Sequence, residues 1–122
     1  MRTAALIGSL AFVSCSGEMT AELKTTLVDL GGEVSLELIN DSLEEARWWP
    51  CDQAWFIELE DGSRERDPTR PYCNLERSLH FGANDIRLTA PDRSGQFFVV
   101  LTVTQGRTSV EVPVGPIDVG AR

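Results

Sequence analysis

The sequence predicts an all-β fold, an antiparallel β-sandwich of about seven strands. Three observations point there. Apolar residues recur at every second position in several short runs. Gly, Asn, Asp and Pro interrupt the chain every 8–12 residues or so. No segment keeps a helical apolar period over three turns.

The elements follow in order. Residues 22–30 form a first candidate strand, stopped by Gly31-Gly32. Residues 33–39 are the clearest strand, with Val34, Leu36 and Leu38 alternating against Ser35 and Glu37. Asn40-Asp41-Ser42 ends it with turn chemistry. Residues 43–47 suit a helical turn, too short to be stable alone. Residues 53–60 form a strand in which Trp55, Ile57 and Leu59 share a face and Phe56, Glu58 and Glu60 take the other. Asp61-Gly62 is a turn signal. Residues 63–71, charged and bearing Pro68 and Pro71, read as a loop or irregular edge. A weak strand over 75–81 is followed by a turn at Gly82-Ala83-Asn84 and a short strand over 85–89. A loop spans 91–95. Residues 96–104 are the most apolar strand, with Phe97, Val99, Leu101 and Val103 directed to the core. Gln105-Gly106 turns the chain into a last strand over 107–114, and Pro113 puts that strand at an edge or on its exposed side.

This spacing is that of an immunoglobulin-like sandwich, with a small closed barrel as the competing architecture. The segments EVSLELINDS (33–42), FIELEDG (56–62), LHFGANDIRL (79–88) and SGQFFVVLTV (94–103) carry a resemblance. Their order is similar to that of the bacterial intracellular proteinase inhibitor type, over roughly residues 33–104. The resemblance implies the sandwich and, as a secondary expectation, inhibition through an exposed loop at 64–72 or 91–95.

The N-terminus has a separate logic. Arg2 is followed by an uncharged apolar run from Ala4 to Val13 and then Ser14-Cys15. The run has the length of a signal-peptide core and is well short of the ~20 residues that span a bilayer. Phe12-Val13-Ser14-Cys15 resembles a bacterial lipobox, with Phe12 where that family usually has Leu. The resemblance implies a signal peptide over residues 1–14, a lipid anchor on Cys15, a polar tether over 15–21 and a sandwich domain over 22–122. Ser16 after the cysteine implies an outer membrane where the cell has one. The competing readings are ordinary cleavage after Ser14-Cys15-Ser16 and retention of the segment.

Three cysteines are present, Cys15, Cys51 and Cys73. Export removes Cys15 from the thiol pool and leaves an even pair, for which a Cys51–Cys73 disulfide is the expectation. Two buried reduced cysteines are the alternative. The formal charge is −8. That balance argues against nucleic acid and against electrostatic adsorption to anionic lipid.

No residue set carries a catalytic signature. His80 is the only histidine and lies between Leu79 and Phe81, without a nucleophile motif nearby. Glu44-Glu45, Glu58, Glu60, Asp61, Asp85 and Asp92 read as solvated strand faces and loops rather than a glycosidase pair. Asn84, Asp85 and Asp92 supply too few oxygens for calcium, and two cysteines with one histidine too few ligands for zinc. No cofactor, metal or small-molecule substrate is expected.

The aromatic residues are the candidates for partner binding. Trp55 suits the core. Adjacent Trp48 and Trp49 cannot both point inward from an extended segment, so one faces out or caps an edge. Phe56, Phe98 and Val100 take the outer face of two neighbouring strands. That patch either meets a partner or is covered by the Trp-bearing loop. The expected function is that of a non-enzymatic, membrane-anchored envelope lipoprotein that binds or assists another envelope protein. The alternative is a loop-mediated proteinase inhibitor.

Overall fold

The computed structural model describes residues 19–68 and 75–120. The signal region, Cys15, Cys73 and part of the 64–72 loop lie outside the described residues. The described chain is all-β, with nine strands: β1 Met19–Leu23, β2 Leu27–Val28, β3 Glu33–Asn40, β4 Ala46–Glu58, β5 Arg64–Arg66, β6 Arg77–Leu79, β7 Gly82–Thr89, β8 Gly95–Gln105 and β9 Thr108–Val119. The small sheet has the order β1-β3-β7. The large one has the order β2-β9-β8-β4-β5, with β6 also paired to β4.

Between the sheets lies one apolar core. Val34, Leu36, Leu38 and Ile86 come from the small sheet; Phe97, Val99, Leu101, Val103, Val112 and Ile117 come from the large one. All are fully buried. The alternation read from residues 33–39 and 96–104 is therefore the inward face of β3 and β8. Pairing is antiparallel throughout except that β2 runs parallel to the end of β9, through Leu27 opposite Asp118 and Val28 opposite Val119.

Several expected boundaries are corrected. The single strand over 22–30 is two strands in different sheets. The chain leaves β3 where Lys24 and Thr25 donate to the Ser35 carbonyl at 2.9 and 3.1 Å, and reaches β9 where Asp118 donates to the Thr26 carbonyl at 2.8 Å. Met19, expected in the tether, is fully buried at the start of β1. No helical turn forms over 43–47, because Ala46 to Trp48 already pair with β8 and β6. Gly82 to Asn84, expected as a turn, begin β7 and pair with Leu38 to Asn40. The Asp61-Gly62 turn forms as expected. The Ser63 hydroxyl and amide donate to Asp61 Oδ1 at 2.5 and 2.9 Å, and this holds the Asp61 carboxyl below its ordinary pKa.

Two long strands switch faces midway, and a bulge causes each switch. Trp48 and Trp55 are seven residues apart, an odd spacing that would place them on opposite faces of a regular strand. Yet Trp48 is 2% and Trp55 1% exposed. Trp48 pairs with Val103 and Gln53 with Leu101, so Trp49-Pro50-Cys51-Asp52 all oppose Thr102. The extra residues restore the inward direction. In β9, Val110, Val112 and Val114 are inward at even positions, Ile117 and Val119 at odd ones. The register shifts between Val114 and Ile117, where Gly115-Pro116 is a cis peptide. For that reason β9 runs past the expected end at Val114. Over most of its length it is an edge strand, as Pro113 requires.

Candidate functional site

The outer face of the large sheet is built by β4, β5, β8 and β9. Phe56 and Phe98 are direct cross-strand partners, and Val100 sits opposite Ala54 on β4 and Pro113 on β9. All three predicted patch residues are half-buried. The cover expected from the Trp-bearing loop comes in part from elsewhere. The Arg64 guanidinium reaches from β5 to lie 3.6 Å from the centre of the Phe98 ring, a cation–π geometry. Gly115 lets β9 approach the same ring, since a β-carbon there would fall 2.6 Å from Phe98 Cδ2.

Phe98 and Arg64 also line an open groove of about 590 Å³, together with Ile39, Leu23, Pro113 and Pro116. The groove follows the seam where β1, an edge of the small sheet, comes alongside β9. Pro113 removes a backbone donor from one of these edges. The groove is mostly apolar, and Glu22 and Arg64 are its charged lining residues.

The Trp pair is resolved: Trp48 is core and Trp49 is half exposed within the bulge of β4. Register places the bulge across from Thr102, two residues beyond Val100 on the outer face of β8. Trp49 thus extends the outer face started by Phe56, Phe98 and Val100. Trp55 packs edge-to-face on Phe97, with ring centres 6.3 Å apart. The Trp48 indole Nε1 has no hydrogen-bond partner among the described residues.

Cys51 lies in the same bulge. Cys73 belongs to the segment between β5 and β6. Those two strands pair β4 on either side of Cys51, β5 with Phe56 to Glu58 and β6 with Ala46 to Trp48.

The two loops expected to inhibit a proteinase are tied down where they are described. Arg64 to Arg66 form a paired strand, and Asp67 is 3% exposed. Its amide donates to the Trp55 carbonyl at 2.8 Å, and its carboxylate meets Arg93 of the other loop at 3.3 Å.

A second cluster sits at the end of the sandwich where β3 ends and β4 begins. Its frame is a set of buried amides. Asn84 Nδ2 faces the Leu38, His80 and Gly82 carbonyls at 3.2, 3.0 and 3.1 Å, while Asn84 Oδ1 accepts from the His80 amide at 3.0 Å. Asn40 Oδ1 accepts from the Ser42 amide at 3.1 Å and from Gln105 at 3.4 Å. These bonds shape two loops, 41–45 and 80–81. His80 is exposed and its Nδ1 lies 3.0 Å from the Phe81 carbonyl. Sequence reasoning named Asn40, Asn84 and Gln105 as turn residues and missed that all three are buried. Lone amides in polar stretches give no signal of burial.

Compared with known proteins, the chain matches no family model, no curated protein and no solved structure.

Proposed function

We propose that this is a lipid-anchored cell-envelope protein whose domain is an immunoglobulin-like sandwich, and that it acts without catalysis by binding another envelope protein. The observation that carries the anchor is the N-terminal pattern, Arg2, the apolar run to Val13 and Cys15, four residues before β1 begins. The strand order supports the fold assignment: a three-stranded sheet faces a larger one, and the first stretch of chain contributes a strand to each. The even pair left once Cys15 is set aside supports export, and we assign Cys73 as the disulfide partner of Cys51. The row Phe56, Phe98, Val100 and half-exposed Trp49 is the binding surface in this reading, with an aromatic composition typical of interface anchors.

Intact-mass measurement on protein extracted from the membrane fraction tests the anchor and the disulfide together. The expected chain begins at an acylated Cys15 and is two hydrogens lighter than its reduced form. A photo-crosslinking residue at Thr102, on the outer face of β8, tests the surface. The expected result is a discrete crosslinked product that disappears in Phe98→Glu. Folded, acylated protein that gives no such product would remove the binding reading.

A further inference from the structure

We infer that the end of the sandwich bearing Leu43 and Phe81 seats directly on the bilayer surface, so that the domain stands with its strands pointing away from the membrane. The inference rests on the reading of Cys15 as the acylated residue. Leu43 is 94% and Phe81 60% exposed, and both line one open cleft of about 420 Å³ with Glu44, Glu45 and His80. The two side chains are not on slack loops. Buried Asn40 faces the Glu44 and Leu79 carbonyls, both at 3.4 Å, and buried Asn84 bonds both the amide and the carbonyl of His80. The frame holds both apolar side chains out, where neither can fold back into the core.

Topology brings the anchor to the same end. Met19, the first residue of β1, pairs with Asn40, the last residue of β3. The chain therefore enters the sandwich beside Leu43. Cys15 lies four positions before Met19, and four residue steps reach at most about 14 Å. The opposite end, at the Leu59–Ser63 turn, lies beyond the long strands β4 and β8. An acyl group on Cys15 thus holds this end, and no other, against the headgroups. A short tether also gives weak apolar contacts a high effective concentration, so Leu43 and Phe81 set orientation while the lipid sets affinity. Asp41, Glu44 and Glu45 at this end, against Arg107, select a zwitterionic surface over an anionic one.

The test uses the full chain made in a bacterium that processes lipoproteins, purified and reconstituted in phosphatidylcholine vesicles. Leu43→Trp and Phe81→Trp report depth through quenching by brominated acyl chains, with wild-type emission subtracted. Leu59→Trp, at the opposite end, is the reference. Expected is a loss of the added emission of about twofold or more at positions 43 and 81, as for a group 5–10 Å into the headgroup boundary, and none at 59. Equal, weak quenching at all three positions on protein of confirmed acyl mass overturns the seat while leaving the anchor intact. An emission shift at 43 and 81 that depends on protein density rather than bromine places a second copy there and also overturns it. Protein that lacks the acyl mass on Cys15 and does not float with vesicles removes the anchor and the seat together.

Discussion

The indole Nε1 of Trp55 donates to Gln53 Oε1 at 2.8 Å, and the same Gln53 side chain donates from Nε2 to the Pro50 carbonyl at 2.7 Å. One amide thereby satisfies the largest buried side chain and clamps the bulge that carries Trp49 and Cys51. Gln53→Leu removes both bonds and leaves a buried indole donor without its acceptor. The expected loss is about 1–2 kcal/mol by urea denaturation. Gln53→Glu keeps the acceptor and is expected to lose less.

Asn84 serves three carbonyls and one amide from a buried position. Asn84→Ala leaves those groups without it at the start of β7. A destabilisation of about 2–3 kcal/mol follows. Faster amide exchange should appear at His80 and Gly82 before it appears in the core of β8.

The Arg64–Phe98 pair separates packing from charge. Phe98→Ala opens a half-buried site against β9 and should cost about 2 kcal/mol, below the range for a fully buried ring. Arg64→Ala removes an exposed guanidinium and should cost only about 0.5 kcal/mol. In the double variant the part of the Arg64 effect that comes from the ring should vanish while its ion pair with Glu58 remains, a coupling that a thermodynamic cycle reads directly.

Gly115 occupies φ +151°, and an added β-carbon would meet Phe98 Cδ2 at 2.6 Å and the Phe97 carbonyl at 3.2 Å. Gly115→Ala should therefore cost more than about 1 kcal/mol, from the backbone and the clash together. If its thermal midpoint equalled that of the wild type, the close packing of β9 on Phe98 would be wrong.

Cys51→Ser tests the staple. A bridge to Cys73 closes a loop of twenty-odd residues, worth about 3 kcal/mol in the chain-entropy model. The variant should unfold at lower urea, and the wild type should fall to match it in reductant. A wild-type protein indifferent to reductant would contradict the assigned pair.

The all-β class and most core positions were legible because burial writes a period of two into the chain. Val34, Leu36, Leu38, Ile86, Leu88 and the inward face of β8 were read that way. The bulges were not read, although a trace of them was present. In both β4 and β9 the apolar parity flips across a proline, Pro50 and Pro116. Proline demotes a strand in any local reading, so each long strand was cut where it bends. The outward aromatic row was found by the same parity. Its contacts were not, because Arg64 and Gly115 come from other strands and carry no local mark of their target.

By itself the sequence determined the periodic quantities: all-β class, inward faces, the Asp61-Gly62 turn, the rule that only one of Trp48 and Trp49 can be buried, and an N-terminal pattern that reads as an address. Those follow from alternation and local turn energetics. Tertiary structure alone decided that Trp48 is the buried one, that Met19 opens a strand beside Asn40, and that Arg64 and Gly115 meet at Phe98. Each depends on register between segments far apart in the chain. Register is set by the whole core at once, where a one-residue slip would turn every buried side chain to the wrong face.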